Sequence, residues 1–395
     1  MIRRPVLVAG ARPNFPKVAP LMRALAREGV QAKLVHTGQH YDAAMSSSFF
    51  EYLDIPVPAA NLGVGSGSHA AQTAAVMVAF EAWLKRVDAD AVLVVGDVNS
   101  TVACALVAAK AGIPVGHVEA GLRSFDRSMP EEINRVLVDA LATWLFTPSA
   151  DGDENLLAEG AEPERIHLVG NVMVDSLYYA LPEARRRSIV ADLGLTRERF
   201  GLVTLHRPAL VDDPDRFTDV AGTLREVGEQ LPLVFPVHPR TQQMLERCEL
   251  DLDPRRVRMI EPLGYLDFLA IEEAAALVLT ESGGVQEERS VFGVPCLTLR
   301  DGTERPVTVT RGTNTLVGFD RETIVSAARD ALTRARRPAD IPLWDGHACE
   351  RIAHVLSLNL PPPRFVPPKL RRGGSIEFRA GSAQRMKEGA GLQPS

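Results

Sequence analysis

The sequence predicts an α/β protein built from two Rossmann-like, doubly wound domains. Short apolar runs alternate with runs of helical period along almost the whole chain, the signature of open parallel sheets with helices on both faces. The alternation breaks at the charged stretch PEARRRSIVADLG, from Pro182 to Gly194, and then restarts. The polar and glycine-bearing motifs also fall at the ends of the apolar runs, where open parallel sheets bind their ligands.

In order, PVLVAG reads as a buried first strand and PKVAPLMRALAREG as a helix stopping at Gly29. QAKLVHTG is the next strand, SHAAQTAAVMVAFEAWLKRV a long helix, AVLVVGD a buried strand and TVACALVAAKAG a helix ending on Gly112. PVGHVEAG, WLFTPS and RIHLVGN are further strands, with a helix opened by PEEINR between the first two. The second half supplies FGLVTLHR, LPLVFPVHPR, VRMIEPL, LVLTESGG and VPCLTLRDGT as strands, and HACERIAHVLSLN as a last helix. The expected domains are 1–172 and 173–346. The tail 361–395, with seven Lys and Arg against two Glu and many Pro and Gly, is expected to be disordered.

Composition narrows the function classes. The chain has 395 residues, 46% apolar and 24% charged, as in a globular enzyme of two ordinary domains. A net charge of −6 argues against a nucleic-acid surface. No apolar run is long enough for a membrane span, and the short PVLVAG run is read as a strand in place of a secretory leader. Cys104, Cys248, Cys296 and Cys349 are far apart, without metal or redox spacing, and suit a reducing cytoplasm. No metal or cofactor is expected.

The candidate site residues sit at strand ends. After the first strand, GARPNFPK places Arg12 and Lys17 beside a helix start, a plausible phosphate cradle. Asp97 ends VVGD, and GHVEAGLR carries Glu119 on the same side of its strand as His117. Glu131 and Glu132 open the helix of MPEEINR, where Glu132 is assigned the plain role of favouring the helix's positive end. Asp97, Glu119 and Glu131 thus come from consecutive strand-end loops. Three converging carboxylates suit acid/base chemistry but need cations, for which Arg123 and Arg135 are at hand. In the second half His206 and Arg207 follow a strand, and His238 and Arg240 repeat the pattern with a weaker case. TESGGVQEE offers Ser282, Gly283 and Gly284 at a helix start for a diphosphate, and Glu288 one turn on for ribose hydroxyls. RDGTERPVT adds Arg300 and Arg305. His69 is read as a helix cap or a packing residue.

Together GARPNFPKVAPL, HVEAGLRS, MPEEINR, GNVMVDS, LHRP, ESGGVQEE and TERPVTVTRGTNTLVG resemble the non-hydrolysing UDP-N-acetylglucosamine 2-epimerase family in order and spacing. The resemblance implies two Rossmann-like domains in the GT-B arrangement, a UDP-sugar in the interdomain cleft, and a last helix, 347–359, crossing back onto the first domain. It implies a homodimer. It also implies anti elimination of UDP to a 2-acetamidoglucal and re-addition on the other face of C2. Asp97, Glu119, Glu131 and His206 match the family's catalytic positions. Arg12 and Lys17 match its diphosphate cations, and Ser282, Gly283, Gly284 and Glu288 its UDP-binding set. Arg123, Arg135, Arg207 and Arg305 complete the expected substrate contacts.

The chain departs from the family pattern at Asn14 and Glu281, where Asp or another acidic group is common, and at LHRPA. Gln39 and His40 persist, but GSGSHAAQT lacks the arginine used by members that a second UDP-sugar activates, so such activation is not expected. The TGQHYD style also occurs in relatives acting on UDP-2,3-diacetamido-glucuronate. Alternatives are therefore that substrate, a hydrolysing relative, a GT-B glycosyltransferase, or an idle UDP-sugar sensor.

Overall fold

The structure, a computed structural model, describes residues 2–11, 14–38 and 55–358. Arg12, Gln39, His40 and the 361–395 tail lie outside them. Among the described residues there are two all-parallel sheets with flanking helices, the α/β class that the alternation predicts.

The first sheet has the order β3-β2-β1-β4-β5-β6-β7. Its central strands β1 (Pro5–Ala9), β4 (Ala91–Val95) and β5 (Val115–Val118) are buried at every position, as expected of strands covered on both faces. β2 (Lys33–His36), β6 (Trp144–Thr147) and β7 (Ile166–Leu168) extend the sheet, with β3 (Ala60–Asn61) at one edge. The helices are α1 (Phe15–Arg27), α2 (His69–Leu84), α3 (Asn99–Lys110), α4 (Pro130–Leu141) and α5 (Ala150–Ala158). The order reverses between β1 and β4, so the loops after these strands diverge and leave a crevice at their C-terminal ends.

After α6 (Val172–Ala184) and the short α7 (Ile189–Asp192), the second sheet runs β10-β9-β8-β11-β12-β13. Its members are β8 (Gly201–Thr204), β9 (Leu233–Pro236), β10 (Val257–Ile260), β11 (Leu277–Thr280), β12 (Cys296–Thr298) and β13 (Asn314–Leu316). The helices are α8 (Pro208–Val211), α9 (Pro214–Gln230), α10 (Pro239–Arg247), α11 (Tyr265–Ala274), α12 (Gly283–Phe292), α13 (Pro306–Thr310) and α14 (Arg321–Thr333), followed by α15 (Ala348–Ser357). Here the switch point lies between β8 and β11.

Among the elements that the sequence reading did not name, three have a plain local reason. The edge strands β3 and β13 are two and three residues long, too short to show a period. α6 carries Pro182, which reads as a breaker. It nonetheless stands inside the helix, two residues before its last residue.

α6 and α15 tie the two sheets into one unit. α6 buries Leu177, Ala180 and Leu181 against Phe200 and Leu202 of the second sheet, while its Ser176 hydroxyl donates to the Pro16 carbonyl in α1. α15 buries Ala348, Cys349, Ile352 and Leu356 in the same core as Leu7, Leu21 and Leu25 of the first sheet. Its N-terminus is capped from outside. Asp175 of α6 accepts from Ala348 N at 3.1 Å and Cys349 N at 2.8 Å. Trp344 Nε1 donates to Pro148 O at 2.9 Å just before it. Among the described residues no helix is long and apolar enough to cross a membrane.

Asp175→Ala leaves two buried helix-start N–H groups without an acceptor. It is expected to lower unfolding free energy by about 2–3 kcal/mol, measured by urea denaturation. An unchanged midpoint would show that α15 is held without this cap.

Candidate active site

A cavity of about 910 Å³ opens where the C-terminal edges of the two sheets face each other. From the first sheet's loops and helices it is lined by Lys17, Asp97, Glu131 and Arg135. From the second it is lined by Arg207, Ser282, Gly283, Gly284, Glu288 and Arg305. Ten residues singled out from sequence, scattered over nearly three hundred positions, therefore share one wall-to-wall space.

Asp97 and Glu131 line the cavity, whereas the expected third carboxylate, Glu119, is buried just behind that wall, and cations hold both Asp97 and Glu119. Asp97 receives Arg135 Nη2 at 2.5 Å, and its carbonyl accepts from Asn134 Nδ2 at 2.8 Å. Both donors come from α4, so the helix that carries Glu131 also fixes Asp97. Glu119 takes φ +70, the left-handed region that a residue with a Cβ seldom adopts. That conformation turns its carboxylate back toward α1, where Lys17 Nζ meets Oε2 at 2.5 Å. Its other oxygen is buried with no hydrogen-bond partner. Gly96, at φ +70, makes the close approach possible: a Cβ there would lie 3.4 Å from Glu119 Oε2 and 3.7 Å from Lys17 Nζ. Asn14 explains its own departure from the family pattern. Its Oδ1 accepts from Gly10 N and Ala11 N while its Nδ2 donates to Val95 O, which an ionised carboxylate could not do.

Two expectations change here. Arg123 is not on the cavity wall and does not meet Glu119. It is 3% exposed, forked onto Glu159 at 2.8 and 2.6 Å, and 2.7 Å from Asp139. Two carboxylates on the far side of its loop capture it. Glu132 is more than a dipole residue. It accepts from Ser124 N at 2.9 Å and Phe125 N at 3.0 Å and pairs with Arg135 at 2.8 Å, so it staples the SFDR loop to α4. Burial would raise its pKa, but these donors outweigh burial and hold it below the ordinary range.

The opposite wall is the start of α12. Ser282 occupies the N-cap without capping through its side chain, and Gly283, Gly284 and Val285 line the cavity. A Cβ on Gly283 would lie 2.5 Å from Arg305 Nη1, whereas one on Gly284 would meet nothing nearer than Ser282 Oγ at 4.0 Å. The first glycine therefore seats Arg305, and the second keeps the helix start open, where N–H groups attract an anion. Arg305 is balanced by Glu287 at 2.5 Å and Glu304 at 3.5 Å, and Glu304 also holds Arg300 at 2.7 Å. Despite burial, these arginines depress the Glu304 pKa far below the carboxylate range. Glu288 is 5% exposed and accepts from the Tyr265 hydroxyl at 3.1 Å; burial, then neighbouring Glu272, raise its pKa well above the usual value.

His206 does not line the cavity. Its backbone N–H and that of Arg207 donate to Glu281 Oε2, both at 3.2 Å, which ties its loop to the start of α12. The longer Glu281 makes this reach where the family often has Asp. The His206 ring keeps a solvent-exposed edge 6.1 Å from His238; the surrounding protein, then His238 and Arg207, lower its pKa. His238 caps α10, its Nδ1 accepting from Arg240 N.

A family model for UDP-N-acetylglucosamine 2-epimerase matches residues 23–357. This chain belongs to the UDP-N-acetylglucosamine 2-epimerase family. It is 41% identical to the UDP-N-acetylglucosamine 2-epimerase of Methanocaldococcus jannaschii, over 89% of this chain and 98% of that protein. It is also 41% identical to the UDP-2,3-diacetamido-2,3-dideoxy-D-glucuronate 2-epimerase of Pseudomonas aeruginosa, over 89% of this chain and 98% of that protein. The crystal structure of the M. jannaschii enzyme in complex with UDP-GlcNAc and UDP matches with a TM-score of 0.83, covering 90% of this chain and 99% of that one. That of the Neisseria meningitidis enzyme bound to UDP-GlcNAc matches at 0.80 with 27% identity, covering 89% and 99%. The two facing sheets are thus the GT-B arrangement of these epimerases.

His69, Met173, Tyr265, Phe268, Glu287 and Glu304 also line the cavity of this family member and were not assigned to it from sequence. Glu287 and Glu304 stand inside motifs already singled out, and their charge was a usable signal. His69 bonds Asn99 at 3.3 Å, while the α2 cap is Ser68. Met173 stands inside the GNVMVDS motif, but nothing in the sequence around Tyr265 or Phe268 marks them, because only packing brings them to the wall.

Glu304→Gln removes the charge shared by Arg300 and Arg305 and is expected to destabilise the protein by about 3 kcal/mol near neutral pH. Because the folded-state pKa is depressed, that stabilisation is complete above the unfolded Glu value of about 4.3 and fades as pH falls below it. The stability gap between the two proteins in denaturant titrations should therefore narrow progressively as pH is lowered below about 4. A gap that does not narrow would contradict the assignment.

Proposed function

We propose that this family member interconverts the C2 epimers of a UDP-2-acetamido sugar, UDP-GlcNAc and UDP-ManNAc. The observation that carries the reading is one cavity in which Asp97, Glu131 and the cation Lys17 face the open start of α12. The start of α12 and Arg305 hold the diphosphate, Glu288 the ribose, and Lys17, Arg207 and Arg12 add positive charge. The sugar then lies toward the carboxylates.

A C2 proton with no adjacent carbonyl is hard to remove directly. Breaking the C1–O bond first builds positive charge at C1 and acidifies C2–H. The electron pair of that bond leaves with UDP, and a carboxylate takes the C2 proton. The pair from C2–H becomes the C1–C2 double bond of a 2-acetamidoglucal. Return of UDP to C1, with a proton delivered to the opposite face of C2, completes the inversion without net redox change. Glu119 or Asp97 serves as the first base and Glu131 works the other face. His206 stabilises departing UDP once its loop turns toward the cavity.

The division of labour assigns the acidic lobe to 1–172 with the returning segment 347–359, and the UDP-binding lobe to 173–346. Four free cysteines among the described residues support a reducing cytoplasm, and the family supports a homodimer. The equal identity to the P. aeruginosa enzyme favours UDP-2,3-diacetamido-glucuronate as the second reading of the substrate.

Proton NMR of UDP-GlcNAc with the protein in D₂O is expected to show deuterium entering C2 together with a manno product. No exchange with either UDP-sugar would overturn the reading, and free sugar would point to hydrolysis. Asp97→Asn, Glu119→Gln and Glu131→Gln should each lower turnover by about a hundredfold. Near-normal rates in all three folded variants would remove the catalytic assignment.

A further inference from the structure

Behind the acidic wall lies a buried charged cluster that the reaction scheme leaves unused. His117, in β5, is 0% exposed and Asp139, in α4, is 4% exposed. His117 Nδ1 lies 2.6 Å from Asp139 Oδ1, and its Nε2 lies 2.9 Å from the Gly96 carbonyl. The second carboxylate oxygen of Asp139 accepts from Gly121 N at 3.1 Å and holds Arg123 at 2.7 Å. Burial works against the Asp139 charge, but His117 and Arg123 outweigh it and keep the carboxylate ionised.

The cluster connects two turns. Gly96 directly precedes Asp97, and Gly121 follows Glu119 by two residues. Hydrogen bonds therefore run from the Asp97 turn, through Gly96 O, the His117 ring and the Asp139 carboxylate, to Gly121 N and the Glu119 turn. The same turns are joined once more by Gly96 N donating to Val118 O at 3.1 Å. Glu119 keeps an unfavourable φ of +70, which persists only where its surroundings impose it. The Gly96 carbonyl can only accept and Asp139 is an ionised acceptor. Both His117 nitrogens lie against these acceptors, so the ring bridges the two turns.

We propose that His117 and Asp139 are positioning residues that set the spacing of the Asp97 and Glu119 carboxylates for the C2 proton transfer. They touch no substrate. The second wall, which would hold the nucleotide, is independent of them. This inference rests on the epimerase reading above and adds to it the device that aligns its bases.

The test compares wild type, Asp139→Asn, His117→Gln and the double variant, reading C2 exchange and epimerisation beside UDP affinity by calorimetry. Gln is the milder change, since its amide can still donate to one of the two acceptors. Misplaced bases should lower kcat about tenfold or more, with KM and UDP affinity within about twofold of wild type. The double variant should lose little beyond the worse single one, because both act through one chain of bonds. Folded single variants with wild-type kcat would overturn the proposal. So would UDP affinity falling in step with kcat, or neither single variant folding, since each leaves only a structural ion pair. A wild type that exchanges no C2 proton is a different result: it removes the epimerase reading itself, and this inference with it.

Discussion

A carboxylate at the end of a fully buried strand is held in place only if a cation reaches it, because an unpaired charge there costs several kcal/mol. Glu119 is reached by Lys17, 102 residues earlier in the chain and on the first turn of α1. The pairing requires α1 to lie where the β1–β4 switch point puts it and Gly96 to carry no side chain. It also requires the backbone at Glu119 to accept a left-handed conformation. The acidic wall is thus a consequence of doubly wound topology. Strands on either side of the reversal send their loops apart, and the charges that follow them balance across the gap.

The facing wall obeys the same rule with the signs reversed. Arg207, Arg300 and Arg305 crowd near the start of α12, and buried Glu304 and Glu287 keep them together. A diphosphate brings negative charge into a cavity whose cations are already partly satisfied, so it must compete with these carboxylates. The open N–H groups beside Gly284 are the part of that wall with no internal competitor in the side chain of Ser282. In the proposed reaction this arrangement favours UDP most as it gains charge on leaving, which is where differential stabilisation speeds a step.

Much of the fold was legible because parallel strands covered on both faces must be apolar throughout, and helices between them must show one apolar face. Those are local demands, and PVLVAG, AVLVVGD or LVLTESGG meets them in a handful of residues. The residues that share the cavity were largely legible for a related reason: glycine and charge immediately after a buried strand have few structural uses. Edge strands β3 and β13 were not, since two or three residues carry no period. Nor was α6, whose apolar side chains serve both sheets and whose Pro182 reads as a break although it stands inside the helix.

The sequence by itself determined the α/β class, the order of the longer strands and which strand ends carry acids, cations and glycines. It did so because backbone propensity, hydrophobic period and strand-end chemistry are written within a few neighbouring residues. The tertiary structure alone decided the partners. Lys17, not Arg123, meets Glu119, Arg123 turns to Asp139 and Glu159, and Glu132 staples a loop. His206 stays off the wall while His69 and Tyr265 join it. Each of these depends on distance in space between elements far apart in sequence, and a buried charge takes whichever partner the packing brings within reach.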